Sequence, residues 1–227
     1  MKLLSILGFL SAAGALVAGQ ANAGGMGELR KLGLKAYWSV LDGEQKVEAK
    51  KIGEKFLLET APDRLAVKAR MLKFRADVTA LLTVEQRREA VSVFGALKKL
   101  DREGKKEIFA KLLDRTDRAA LADRVDRISG VSPPEQVDLG LAICDQLFAA
   151  YLEALAPKLA LTADQQAQIL ALFDGVKADL KPVALRLAEA RSVVLRAALS
   201  LLRPEQREKL DTFREDLMGK VLDFLRG

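Results

Sequence analysis

Apolar positions recur at helical spacing through most of the chain. Val67, Met71, Phe74, Val78 and Leu81 fall at i, i+4, i+7, i+11 and i+14, which places them on one stripe of a helix. Ala90, Val93, Phe94, Leu97 and Leu100 form a second stripe. Val137, Leu141, Cys144, Phe148, Tyr151 and Leu155 form a third, and Ile169, Leu172, Phe173, Val176 and Leu180 a fourth. Leu210, Phe213, Leu217, Val221 and Phe224 complete the set near the C-terminus. No segment alternates with period two over a useful length, so the pattern predicts an all-α protein of antiparallel helical hairpins, with no sheet.

The polar punctuation between the stripes repeats. "LLTVEQR" (Leu81 to Arg87) returns as "LLRPEQR" (Leu201 to Arg207), and "LDGEQ" (Leu41 to Gln45) and "LTADQ" (Leu161 to Gln165) are weaker copies. A helix leaves its first N–H groups unpaired, and a Ser, Thr, Asp or Asn with Gln or Glu three residues on satisfies two of them reciprocally. Asp42 with Gln45, Thr83 with Gln86 and Thr162 with Gln165 have that spacing, as does Ser132 with Glu135. In the last copy Arg203 stands in the cap position ahead of Gln206, and Pro204 sets the first turn. Each string therefore predicts a helix start.

Capping alone leaves the spacing unexplained. Gln45 and Gln86 are 41 residues apart, and so are Gln165 and Gln206. An offset of 120 residues lays Gln45 on Gln165, Pro62 on Pro182, Leu65 on Leu185 and Gln86 on Gln206. Each proline is expected to end one helix and open the next, because an interior proline loses a hydrogen bond and clashes with the preceding turn. The implied unit is helix, proline turn, helix, capping motif, helix, present twice as an internal duplication. Residues 24–130 hold the first unit and residues 131–227 the second, with the boundary at Gly130. The stretch from Asp101 to Gly130 reads as two short helices with breaks near Gly104 and Thr116, and Ser132-Pro133-Pro134 opens a long helix.

The first 23 residues read differently. Met1-Lys2 is a positive start, Leu3 to Val17 an apolar run, and "ANA" (Ala21 to Ala23) a small-x-small cleavage site, together a secretory signal peptide cut before Gly24. The run is short for a bilayer span, which needs about 20 residues. The expectation is an exported, periplasmic protein without stable membrane insertion. Without Lys2 the chain has 36 basic and 31 acidic residues, a net charge of +5. The signs are interleaved, as in Glu107/Lys111, Asp114/Arg118 and Asp123/Arg127, a pattern of solvated helix faces that argues against nucleic acid as a partner.

Paired Leu-Thr-x-x-Gln strings at helix starts, in an exported, charged, helical chain, resemble the LTxxQ proteins, the Spy/CpxP family of periplasmic stress proteins. "LTVEQR" (Leu82 to Arg87) and "LTADQ" carry the resemblance best, while "LDGEQ" and "LRPEQR" keep Leu and Gln but lose Thr. The family usually has two motifs per chain, whereas four stand here. Family members form curved antiparallel dimers, and some are ATP-independent chaperones that cradle unfolded clients. Others bind metal or modulate an envelope-stress sensor. The resemblance implies a homodimer, or one chain whose two units mimic the dimer.

Catalytic chemistry has little to stand on. The chain has no histidine, hence no imidazole base or metal ligand, and no carboxylate pair is set apart as acid and base. The reading is a non-enzyme with no cofactor and no metal site. Cys144, the only cysteine, lies on the third stripe and reads as a buried small hydrophobe, with an interchain disulfide as the rival. The expected function is periplasmic ATP-independent binding of unfolded envelope proteins. A sensor or regulatory subunit for one specific envelope protein, with or without a metal link, is the alternative. The candidate client-binding residues are Arg64, Lys68, Arg70, Lys73 and Arg75 in the first unit, with Arg186, Arg191 and Arg196 in the second.

Overall fold

A computed structural model describes residues 35–99, 102–128 and 130–227. Within them the fold is all-α, without a strand. A helical stretch at 35–40 leads into α1 (Gly43–Glu59), α2 (Ala61–Leu81), α3 (Val84–Lys99) and α4 (Arg102–Leu113). α5 (Arg118–Arg127), α6 (Pro133–Leu155), α7 (Ala163–Ser200) and α8 (Pro204–Arg226) follow. The segment read as a signal peptide lies outside the described residues, as does Leu100; the same holds for the side chains of Phe94 and Leu97.

The axis of the molecule is α7, whose 38 residues make a rod about 57 Å long at 1.5 Å per residue. α2 runs antiparallel to it: Asp63 meets Arg186, Arg70 meets Asp179 and Phe74 meets Phe173, in descending order along α7. α6 runs antiparallel along another side, with Asp138 on Lys181, Asp145 on Lys177 and Phe148 on Phe173. Where the three helices meet, Phe74, Phe148 and Phe173 pack ring to ring, with centroids 4.0 Å apart for Phe148 and Phe173 and about 6 Å for the other two pairs. Cys144, Leu152, Ile169 and Val176 complete this cluster. Burying one such side chain contributes about 1.5–3 kcal/mol, so this three-helix seam is a main source of stability.

The other face of α6 holds a second cluster. Ile143 packs with Leu113 of α4, Leu121 and Ala122 of α5, and Leu222 and Leu225 of α8. α6 is thus covered on two sides, which explains why Gly140, Ile143, Ala150 and Leu152 are buried along with Val137, Cys144, Phe148 and Leu155 of its predicted stripe, while Leu141 and Tyr151 are half-buried. Both clusters draw residues from either side of Gly130. On α8 the buried residues near the end are Leu222 and Leu225, while the stripe residue Phe224 is 43% exposed and stacks on Phe109.

Two expectations about breaks need correction. Gly104 lies inside α4, because a single glycine costs a helix only about 1 kcal/mol. Pro182 does not end a helix either; α7 runs through it. Packing explains the difference between the two prolines. Val176 before Pro182, and Ala184, Leu187 and Ala188 after it, are buried, so the helix is clamped on both sides of the lost hydrogen bond. Before Pro62 there is no such clamp, since α1 buries no residue at all. There the chain breaks at Thr60, whose N–H and hydroxyl both donate to the Phe56 carbonyl, at 3.0 and 2.6 Å, and Arg64 donates to the Leu57 carbonyl.

Candidate functional site

The four glutamines of the repeated strings are brought together in two pairs. Gln86 Nε2 donates to Gln165 Oε1 at 3.0 Å, and Gln165 Nε2 donates to Gln86 Oε1 at 2.9 Å. Each oxygen also accepts from its own cap: Thr83 N–H reaches Gln86 Oε1 at 2.9 Å, and Thr162 N–H reaches Gln165 Oε1 at 3.0 Å. Each nitrogen donates a second bond to the turn ahead of the opposite helix, Gln86 to the Ala160 carbonyl at 2.9 Å and Gln165 to the Leu81 carbonyl at 2.8 Å. The cap hydroxyls accept in turn from the Gln86 and Gln165 N–H groups, at 3.2 and 3.1 Å.

Gln45 and Gln206 repeat the arrangement. Their amides exchange hydrogen bonds of 3.0 Å in both directions. Gln45 also donates to the Leu201 carbonyl and Gln206 to the Val40 carbonyl, while Asp42 N–H and Arg203 N–H donate to their respective glutamine oxygens at 3.0 and 2.8 Å. Arg203 offers no side-chain acceptor, so its cap depends on the Gln206 oxygen alone. The same 120-residue offset that relates the strings relates the two clasps, since it carries Gln86 to Gln206 and Gln45 to Gln165.

Each clasp joins two helix starts in a way no other side chain reproduces. The oxygen must accept from a cap N–H and the nitrogen must donate to a carbonyl, so the amide cannot turn over. Glutamate lacks the donors and leucine lacks both functions. Gln86 and Gln206 are buried, and Thr83, Thr162 and Asp42 support the clasps as caps. Ala160, whose carbonyl receives Gln86, has φ 47°. Holding a non-glycine residue in the left-handed region costs about 1–2 kcal/mol, and the neighbouring clasp anchors it there.

The candidate basic residues divide between the seam and the surface. Arg70 and Arg186 lie on the α2–α7 seam, paired to Asp179 and Asp63 at 2.6 Å each. Asp63 raises the Arg186 guanidinium, through its hydrogen bond above all. Lys73 pairs with Asp77 at 2.8 Å. Arg64 is taken up by Leu57, as described. Arg191 and Arg196 are exposed on the last third of α7, and Lys68 is exposed on α2 with Arg75 half-buried beside it.

The face around Lys68 and Arg75 holds what the basic residues alone did not reveal. Leu65, Ala69, Leu72, Ala76 and Ala80 stand at i, i+4, i+7, i+11 and i+15, a second apolar stripe on α2 turned away from Phe74. Leu65 is 64% exposed and Leu72 49%. Val84 and Val91 of α3 are also exposed. The spacing was legible in the sequence, but the stronger stripe through Phe74 had already claimed the helix. Between this face and the start of α3 lies a shallow groove of about 500 Å3, lined by Leu72, Arg75, Ala76, Thr79, Ala80 and Arg87.

Among the described residues no three His, Cys, Asp or Glu side chains gather as a metal site, and no helix is long and apolar enough to cross a membrane. Cys144 is a free thiol, buried, and burial pushes its pKa up to about 12, which makes it a poor nucleophile. No family model, no curated protein and no solved structure matches the chain.

Proposed function

We propose that this chain is an ATP-independent holdase of the cell envelope, a binding protein for unfolded proteins that resembles the Spy/CpxP family. The observation that carries the reading is the outward face of α2. Leucines there stand open to solvent on a helix whose other side packs Phe74 into the core, with Lys68 and Arg75 among them. With the exposed Leu57 and Leu58 of α1 and Val193, Leu195 and Leu199 of α7 it adds to the apolar surface this chain leaves open, and apolar surface gathered along a helix face is what a binding site for unfolded chains uses. The adjoining positive charge attracts unfolded chains over several ångströms before apolar contact forms.

The clasps support the idea of two joined units. An exchange of partners in which motif one holds motif four and motif two holds motif three is what a two-fold related pair of units produces, here within one chain. On this view the glutamines act through stability, as a frame, and the client meets the helix surface. Export to the periplasm and the internal duplication belong to the same proposal. The test is the aggregation of several unrelated denatured proteins, diluted with and without this chain and without nucleotide. Suppression at a few-fold molar excess supports the reading. No suppression for any client sinks it in favour of recognition of one specific envelope protein.

A further inference from the structure

We infer that the groove between α2 and the start of α3 is a discrete subsite for peptide segments in which an apolar side chain stands next to a carboxylate. The inference rests on the holdase reading and sharpens it from general stickiness to a preferred client chemistry. The floor is apolar: Leu72, Ala76 and Ala80, with the small alanines keeping the groove open. It is shallow and open to solvent, so a segment would lie along it and keep one side in water. Both charged residues that line it, Arg75 and Arg87, are cationic. Neither has a carboxylate within ion-pair distance among the described residues, and Arg87 is steadied by its Nε donating to the Leu82 carbonyl at 3.0 Å.

Guanidinium groups recognise carboxylates through paired, charge-assisted hydrogen bonds, so the complement of this groove is an acidic and apolar segment. A second copy of the chain is the poorer occupant. A two-fold contact places the same patch against itself, and that sets Lys68, Arg75 and Arg87 of one copy against their own equivalents.

The probes are two fluorescently labelled peptides alternating Leu or Phe with Glu in one and with Lys in the other, titrated with the whole exported chain by anisotropy. The Glu peptide is expected to bind at least tenfold more tightly, with affinity falling as salt rises. Arg75→Glu is expected to reverse the preference, and Ala76→Phe, which fills the floor without changing charge, to weaken the Glu peptide severalfold; circular dichroism checks that both variants stay folded. Equal binding of the two peptides, or an unchanged preference in folded Arg75→Glu, overturns the subsite. Aggregation suppression measured on the same samples separates the two ideas. Suppression without peptide discrimination overturns the groove and leaves the holdase standing, whereas discrimination without suppression upholds the groove and removes the holdase.

Discussion

Replacing Gln86 with Leu removes one arm of a clasp and tests whether the repeated string is a brace. Gln86 makes four side-chain hydrogen bonds: it accepts from Thr83 N–H and Gln165, and donates to the Ala160 carbonyl and Gln165. Each is worth about 1 kcal/mol net, and a buried partner left unpaired costs about 1–3 kcal/mol. The added apolar burial of Leu returns about 1–2 kcal/mol. The expected loss is about 2–4 kcal/mol, read by urea denaturation followed at 222 nm. Once Gln86 is gone, Gln165→Leu has less to lose, so the double variant should fall short of the sum by about 1–2 kcal/mol. Gln206→Leu, in the other clasp, should add to Gln86→Leu without coupling. Gln86→Glu makes the clasp sensitive to pH. Its carboxylate faces the Gln165 oxygen, which raises its folded pKa above the unfolded value. The neutral form is therefore favoured in the fold, and the variant should recover stability as pH falls toward 4 and lose it as pH rises. A loss under about 0.5 kcal/mol for Gln86→Leu, or full additivity with Gln165→Leu, would refute the brace.

Thr162→Ala deletes the hydroxyl that accepts from Gln165 N–H and should cost about 0.5–2 kcal/mol in the same denaturation, leaving client binding per folded molecule unchanged. Pro182→Ala should stabilise by up to about 3 kcal/mol, because α7 is already helical there and gains the missing bond to the Ala178 carbonyl; destabilisation would mean that the proline is needed in place. The Cys144 thiol should resist a thiol reagent in native buffer and react at the rate of unfolding. Its folded pKa, about 12, lies above the ordinary 9.0, so the stability it protects is complete below pH 9 and drains between pH 9 and 12, at about 1.4 kcal/mol per pH unit. Cys144→Ala should flatten that decline between pH 9 and 10, below the ordinary range of Tyr151, whose own pKa burial also raises.

Local signals in the chain were legible where one short-range interaction decides the outcome. The caps at Thr83 and Thr162 and the opening of α6 at Pro133 follow from three-residue spacing and from proline geometry, and they stand where those rules put them. The stripe through Phe74 likewise faces the core. What escaped was decided by neighbours far along the chain. Pro62 has Thr60 before it and Asp63 after it, the marks of a helix start, whereas Pro182 has neither; the burial of Ala184 and Ala188 against α6 does the rest. Arg70 and Lys68 look alike in sequence, yet one is spent on Asp179, 109 residues away, and the other stays on the surface. The glutamines were legible as caps for their own helices. That each also holds a partner 79 or 161 residues distant was not, because the second half of an amide's hydrogen bonding is set by tertiary packing.

If unfolded chains bind the outward face of α2, as proposed, the variant Leu65→Ser/Leu72→Ser should lose that binding. Both side chains are largely solvent-exposed, so the fold should lose less than about 1 kcal/mol and the far-ultraviolet spectrum should be unchanged. Against the same denatured client, the parent chain is expected to delay aggregation at a few-fold excess and the folded double variant to have lost most of that effect. Equal suppression by parent and variant would contradict it.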